Sequence, residues 1–231
     1  MSKFLRFGLT TLALIFVFNA FAVVETKAQG HVNEVLNRMD AHYRALSSLQ
    51  ANVKMDKYNA QLDEHDYTEG LAKYLPLKGR DALVRIDWTK PVKESLAVVN
   101  KEYVLYRPRL QQALVGKVDK AQGNAKSNSA LAFMNMSKAQ LKDNYNIKYI
   151  GKESVSGGIS TWHLELTPKL KTSYKLANIW VDGNGMPIQM RVTENNNDAT
   201  TVLLSNLVKN ETLNTKIFVI NLPKGTKKLE G

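Results

Sequence analysis

Three short stretches of the chain alternate apolar and polar residues with a period of two. Val84, Ile86 and Trp88 alternate with Arg85 and Asp87. Trp162, Leu164 and Leu166 alternate with His163 and Glu165, and Ile188, Met190 and Val192 with Gln189 and Arg191. Residues two apart on a strand share a face, so each stretch is predicted to be a strand with one apolar and one wet side. That pattern belongs to antiparallel sheets, since parallel strands covered on both faces read as unbroken apolar runs. Turn signals separate the runs. "DGNG" at Asp182 to Gly185 predicts a hairpin, "SGG" at Ser156 to Gly158 a second, and "TENNND" at Thr193 to Asp198 a third. Counting every such run gives nine to eleven strands, with no internal repeat.

Helices are sparse. From His31 to Leu46 the apolar residues Val32, Val35, Leu36, Met39, Tyr43 and Leu46 recur in steps of three and four, which predicts one amphipathic helix. The fold class is therefore α+β, mostly antiparallel β. One segment interrupts the run of strands between Lys117 and Asn144. It begins polar ("KAQGNAKSNS"), turns apolar at "LAFMNM", and ends in "SKAQLKDNY", where Ser137 and Gln140 have the spacing of a capping box. A loop with one or two short helices laid over the sheet is predicted there. Its apolar side chains, Leu131, Phe133, Met134 and Met136, need an apolar surface, and the nearest is the inner face of the sheet. That face, to which Val84, Ile86, Trp88 and Met190 belong by parity, has two possible fates. It is filled by side chains as an ordinary core, or it is left under-filled as a pocket for apolar ligands. Flexible methionine suits a cover that repacks around different guests.

The first residues read as an address. Lys3 and Arg6 precede an uncharged, largely apolar run from Phe7 to Ala22, and "AFA" at Ala20 to Ala22 offers a cleavage site. A second possible cut follows Ala28. The alternative is a retained anchor, but the run is shorter than the roughly 20 residues a spanning helix needs. Residues 1–22 are thus expected to be a signal peptide and residues 23–231 one exported domain. The chain has no cysteine, so it carries neither a disulfide nor a lipid-bearing cysteine, and its core alone must hold it. The formal net charge is +11. The basic residues are scattered (Lys57, Lys73, Lys93, Lys117, Lys148, Lys209) with no aromatic-interleaved stripe, which argues against nucleic acid as a partner. Attraction to anionic membrane surfaces and plain solubility both account for the excess.

Convergent reactive groups are scarce. There is no G-x-S-x-G, no phosphate-cradling glycine loop and no H-E-x-x-H, and His31, His42, His65 and His163 lack ligand spacing. "DEHD" at Asp63 to Asp66 reads as a solvated turn rather than a metal site, and Trp88, Trp162 and Trp180 as core or pocket wall. No metal, cofactor or enzymatic activity is expected.

Several segments together resemble the outer-membrane lipoprotein carrier (LolA-like) family. They are "HVNEVLNRMDAHYRALSSLQANV", "VRIDWTKPVKESLAVVNKEYVLYRPRLQQA", "YNIKYIGKE" with "TWHLELTPK", "IWVDGNGMPIQMRV" and "LVKNETLNTKIFVINLPKG". The resemblance implies an incomplete, half-open β-barrel with helices serving as a lid over an apolar inner face. It implies a monomeric carrier that takes lipoprotein acyl chains from an inner-membrane transporter and yields them to an outer-membrane acceptor. A lipid-binding envelope sensor, or a carrier of another lipid, has the same fold. On this resemblance Trp88, Tyr103, Tyr106, Trp162 and Leu164 lie on the matching strands, with Leu131, Phe133, Met134 and Met136 on the lid. Family carriers often have an Arg-Pro latch before the tryptophan strand. Here Arg80 is the nearest match, followed by Asp81 instead of proline.

Overall fold

The computed structural model describes residues 29–77, 82–117 and 136–231. Residues 29–45 form helix α1. The strands are β1 (Leu49–Asn59), β2 (Glu64–Pro76), β3 (Ala82–Lys90), β4 (Glu94–Val99), β5 (Glu102–Arg107) and β6 (Gln112–Lys117). Helix α2 (Lys138–Asn144) follows, then β7 (Tyr145–Val155), β8 (Ile159–Pro168), β9 (Tyr174–Asp182), β10 (Pro187–Glu194), β11 (Ala199–Lys209) and β12 (Lys227–Glu230). All twelve belong to one sheet in the order β12-β6-β5-β4-β3-β2-β1-β11-β10-β9-β8-β7. The order does not close on itself, so the barrel is open, with β12 and β7 as its edges. Every pairing is antiparallel except β12 with β6. The three predicted hairpin turns fall between β9 and β10, β7 and β8, and β10 and β11.

The register assigns the two faces. Val53 stands opposite Leu204, Met190 opposite Ile179, Leu164 opposite Ile179, and Ile86 opposite Leu96. These residues belong to one buried cluster and define the inner face. Helix α1 lies across the β7–β10 part of that face and contributes Val32, Val35, Leu36 and Met39 to the cluster. Its seat is set by the β9–β10 turn, where Arg38 donates to the Gly183 carbonyl at 3.2 Å. Gly185 (φ +86°) lies so close to α1 that a Cβ there would sit 2.2 Å from the Arg38 carbonyl oxygen. Asp182 ties the turn by accepting from the amides of Asn184 (2.9 Å) and Met186 (2.8 Å).

Helix α2 carries the predicted capping box: Ser137 Oγ accepts from the Gln140 amide, and the Gln140 side chain accepts from the Ser137 amide. Leu141 points inward and is buried, and Lys138 Nζ donates to Asn37 of α1 at 2.7 Å.

The twelfth strand exceeds the expected count. Lys227–Glu230 has one apolar residue in four, too few for a pattern to register, and it becomes a strand because of how the chain reaches it. After β11, residues 210–226 cross the outer face of β3 and β4, where Phe218 is completely buried. The outer-face positions Leu83, Ala97 and Ala113 are also buried. Arg85 fixes this crossing segment by donating to the carbonyls of Ile217 (3.0 Å) and Val219 (3.2 Å). The chain then arrives at the β6 edge running parallel to it.

Arg85 is held in turn by Asp87, which accepts from Arg85 Nε at 2.9 Å and from Ser95 Oγ at 2.7 Å. Burial pushes the Asp87 carboxyl up, but the bonds from Arg85 and Ser95 and the charges of Arg85 and Lys73 outweigh it and hold it below the usual aspartate value. A folded value below the unfolded one stabilises above the ordinary aspartate range and is lost as pH falls through the depressed value. Asp87→Asn is therefore expected to lose less stability than the parent on acidification below about pH 4. Denaturant midpoints at pH 7 and pH 3 test this, and equal losses in the two proteins would refute the assignment.

Candidate functional site

The inner face is covered unevenly. Beneath α1, Leu164, Leu166, Ala177, Ile179, Val181, Ile188 and Met190 have no solvent exposure at all. On the other half of the sheet Trp88, Leu96, Tyr103 and Leu105 are buried but not sealed, and Ala72, Ala82, Val84, Val98 and Leu114 are partly buried, as Ile147, Tyr149, Trp162 and Tyr174 are towards β7–β9. Around Trp88 the inner face opens into a cavity of about 230 Å³. Its walls come from Met55 (β1), Thr68 (β2), Trp88 (β3), Leu96 (β4), and Tyr103 and Leu105 (β5), with Pro91 and Val92 of the β3–β4 turn at the rim. Lys57, Glu94 and Arg107 line the same cavity.

Local sequence explains each wall. Trp88 pairs with Gly70 at a register irregularity between β2 and β3. A Cβ at Gly70 would come within 2.9 Å of the Trp88 Cα, so glycine is what allows the two strands to close up here. Leu96 and Leu105 face one another across β4 and β5. Arg107 Nε lies 3.2 Å from Glu94 Oε1, an ion pair with both side chains about one third exposed.

The residues singled out from the sequence divide into groups. Trp88 and Tyr103 line the cavity. Val84 and Ile86 lie on the same face of β3, two and one inner-face steps along the strand from Trp88, outside the lining. Leu164 and Met190 are sealed in the filled half. Trp162 is on the inner face but distant, with Arg38 over its ring at 4.8 Å and Lys152 at 5.9 Å. Tyr106 is one residue out of phase. It pairs with Ser95, whereas Leu105 pairs with Leu96, so Tyr106 lies on the outer face beside Arg85 and Asp87 and not in the cavity. Met136 is partly buried against the core cluster and lines a small pocket with Met39, Leu46, Tyr74 and Met186. Leu131, Phe133, Met134 and the expected latch Arg80 lie outside the described residues. The sequence reading missed Met55, Leu96 and Leu105. Their signal was available, because each stands on the inner-face parity of its strand.

Among the described residues, no group of three or more His, Asp or Glu is placed to hold a metal. Asp63 of "DEHD" sits in the β1–β2 turn (φ 54°), and His65 pairs with Asp56 at 2.8 Å. A polar cluster lies on the outer face of β7–β9. His163 Nδ1 lies 2.5 Å from Glu153, its Nε2 2.6 Å from Asn178 Oδ1, its ring stacks on Trp180, and Trp180 donates to Glu153. These groups engage one another across three strands. No helix among the described residues is long and apolar enough to cross a membrane.

The model of the family described as outer membrane lipoprotein carrier protein LolA matches residues 79–221, more than half of the chain. The chain belongs to the LolA family. The match starts just before β3 and includes the cavity walls Trp88, Leu96, Tyr103 and Leu105, while Met55 precedes it. The comparison with curated proteins finds no match.

Solved structures share the fold over most of the chain. MucB superposes with a TM-score of 0.56 at 12% identity, over 83% of this chain and 63% of MucB. MucB in the Pseudomonas aeruginosa MucA/MucB complex gives 0.51 at 13%, over 83% of this chain and 61% of that one. The chain therefore spans about three-fifths of MucB. A conserved protein from Thermus thermophilus gives 0.53 at 12% identity, over 86% of this chain and 98% of its own. At these identities the likeness is one of fold. Family membership supports a lipid- or lipoprotein-binding, carrier-like role outside the cytoplasm.

Proposed function

We infer that this LolA-family chain is a periplasmic carrier that shelters the acyl chains of lipoproteins in the cavity of its inner face. It would collect them from a lipoprotein-releasing transporter in the inner membrane and yield them to an acceptor at the outer membrane. The observation that carries this reading is the asymmetry of the inner face: one half is sealed by α1, and the other leaves a cavity walled on one side by Trp88, Leu96, Tyr103 and Leu105, with Lys57, Glu94 and Arg107 also lining it.

The physics of the task favours such a site. Each buried methylene is worth about 0.8 kcal/mol, so a chain of about 16 carbons costs on the order of 10 kcal/mol to expose to water. A carrier must screen most of that surface and still let go. An adequate pocket on an open sheet meets both needs better than a closed, fully complementary one. Binding and hand-over require no covalent step, so the chemistry asked of the residues is apolar contact, exclusion of water and release.

The test is native mass spectrometry of the protein purified gently from a bacterial periplasm. Acylated polypeptide bound one to one is the expected result. Protein that is consistently empty, and that takes up no acyl chain when offered solubilised lipoprotein, would refute the reading.

A further inference from the structure

The two ends of the open barrel differ. Neighbouring strands run antiparallel, so the turns after β1, β3, β5, β8 and β10 lie at one end of the sheet and those after β4, β7 and β9 at the other. The described turns at the second end carry small or polar residues: Asn100 and Lys101, Ser156 to Gly158, and Gly183 to Gly185. The first end carries the three most exposed large apolar side chains among the described residues. Leu170 (80% exposed) is in the β8–β9 turn, Leu62 (64%) in the β1–β2 turn and Leu110 (58%) in the β5–β6 turn. One exposed leucine is ordinary on a protein surface. Three on separate turns of the same end leave apolar area unburied where a contact would cover it.

Hydrogen bonds fix the turn under each leucine. Asn59 Oδ1 accepts from the amides of Gln61 (3.0 Å) and Leu62 (3.1 Å), and the Ala60 amide donates to Asp198 at 2.9 Å. The Gln111 amide donates to the Pro108 carbonyl at 3.1 Å, and the Gln111 carbonyl accepts from the Lys227 amide at 2.9 Å. In the β8–β9 turn the Lys169 amide donates to the Asn144 carbonyl at 2.9 Å, and Asn195 Nδ2 donates to the Thr172 carbonyl at 3.0 Å. The leucines are thus displayed to solvent on set backbones. Leu170 stands between Lys169 and Lys171, and Leu110 follows Arg109. Among the described residues, none of these three cations meets a carboxylate within ion-pair distance. The β1–β2 turn is acidic instead, with Asp63, Glu64 and Asp66 after Leu62.

We propose that this end of the molecule docks on a phospholipid bilayer. Leu62, Leu110 and Leu170 enter the interface, and Arg109, Lys169 and Lys171 reach lipid phosphates beside them. In strand order the three turns are separated by the β3–β4 and β10–β11 turns. Apolar points spaced apart in this way suit a fluid surface that moulds around each one, not a shaped groove on another protein. The cavity rim, Pro91 and Val92, belongs to the β3–β4 turn at the same end, between the turns of Leu110 and Leu62. Docking therefore sets the cavity mouth against the bilayer, and an acyl chain passes between the two without crossing bulk water.

Sedimentation of the full chain with vesicles of phosphatidylethanolamine and phosphatidylglycerol tests this. The parent is expected to pellet with them. Leu110→Ser combined with Leu170→Ser should lower the partition coefficient by about tenfold or more, and Leu62→Ser should lower it further. Leu71→Ser is the control, because Leu71 is 48% exposed but lies mid-strand on the outer face of β2, and its loss should change nothing. All four leucines face solvent, so melting temperatures should match the parent. Every variant keeps the same N-terminus, so the differences report the turns alone. The chain has no cysteine, so Leu170→Cys and Ser156→Cys each take a single environment-sensitive dye. On vesicles the dye at position 170 should shift to the blue, and the dye at position 156, at the opposite end, should not. No vesicle binding, binding untouched by the leucine substitutions, or an equal shift at both positions would overturn the docking. Self-association without lipid that the same substitutions abolish would assign the leucines to a second copy and overturn it as well. None of these outcomes bears on whether the cavity takes acyl chains, which the mass spectrometry described above decides separately.

Discussion

Replacing Gly185 by alanine is expected to destabilise the protein by more than about 3 kcal/mol. Two costs add at this position. The backbone is in the left-handed region at φ +86°, which strains any residue with a side chain. The new Cβ would also sit 2.2 Å from the Arg38 carbonyl oxygen and 2.4 Å from its carbon. Neither atom is the end of a flexible side chain, so α1 as a whole must move away from the β9–β10 turn. The residues beneath it, with no exposure at all, lose their cover. A loss of this size corresponds to a fall in melting temperature of roughly 6–12 °C for a chain of this length. Gly183→Ala is the matched control, because a Cβ there meets nothing within 4 Å. Similar melting temperatures for the two variants would show that α1 is not seated on this turn.

The second large effect concerns the cavity. Leu96→Trp and Leu105→Trp each direct an indole into space that the parent leaves vacant, and the two together should lower the affinity for an alkyl probe by at least a hundredfold. Overpacking a filled core costs about 1–3 kcal/mol, but here there is room, so the melting temperature should stay near that of the parent. Titration of a fluorescent alkyl probe, read beside a thermal melt, separates the outcomes. Full binding by the double variant would mean that hydrocarbon is held elsewhere on the sheet.

Much of the architecture was legible because it rests on local periodicity. Alternation in "VRIDW", "TWHLEL" and "PIQMRV" declared the strands, turn residues placed the hairpins, and Ser137 with Gln140 marked the start of α2. Alternation also set Val84, Ile86 and Trp88 on one side of their strand and Ile188, Met190 and Val192 on one side of theirs, whereas Tyr103 came from the family resemblance alone. What periodicity cannot tell is which part of that face receives a cover. Leu164 and Trp88 look alike in the sequence, yet one has no exposure and the other lines a cavity, because α1 settles on β7–β10 through a contact between residues as far apart as Arg38 and Gly183. Tyr106 was misplaced for a simpler reason: the resemblance carried it over with its strand, although its position is out of step with Leu105. The β12 strand was missed because its cause lies in Phe218 and Arg85, far from the strand itself.

The order of strands has a consequence for how the molecule comes into being. The first half of the chain supplies β1 to β6 and the second half β7 to β11, and they are joined through β1 and β11, where Leu49 meets Lys209. Joining strands so distant along the polypeptide carries the loop-closure cost that slows folding of non-local topologies. An emerging chain can zip β1 to β6 into a meander early, but the inner face acquires its second wall, and α1 its seat, only after the last third has been made. Until then the apolar row of β1 to β5 is open to water along one whole side, so the nascent protein is most vulnerable to self-association at the very surface that later receives its guest.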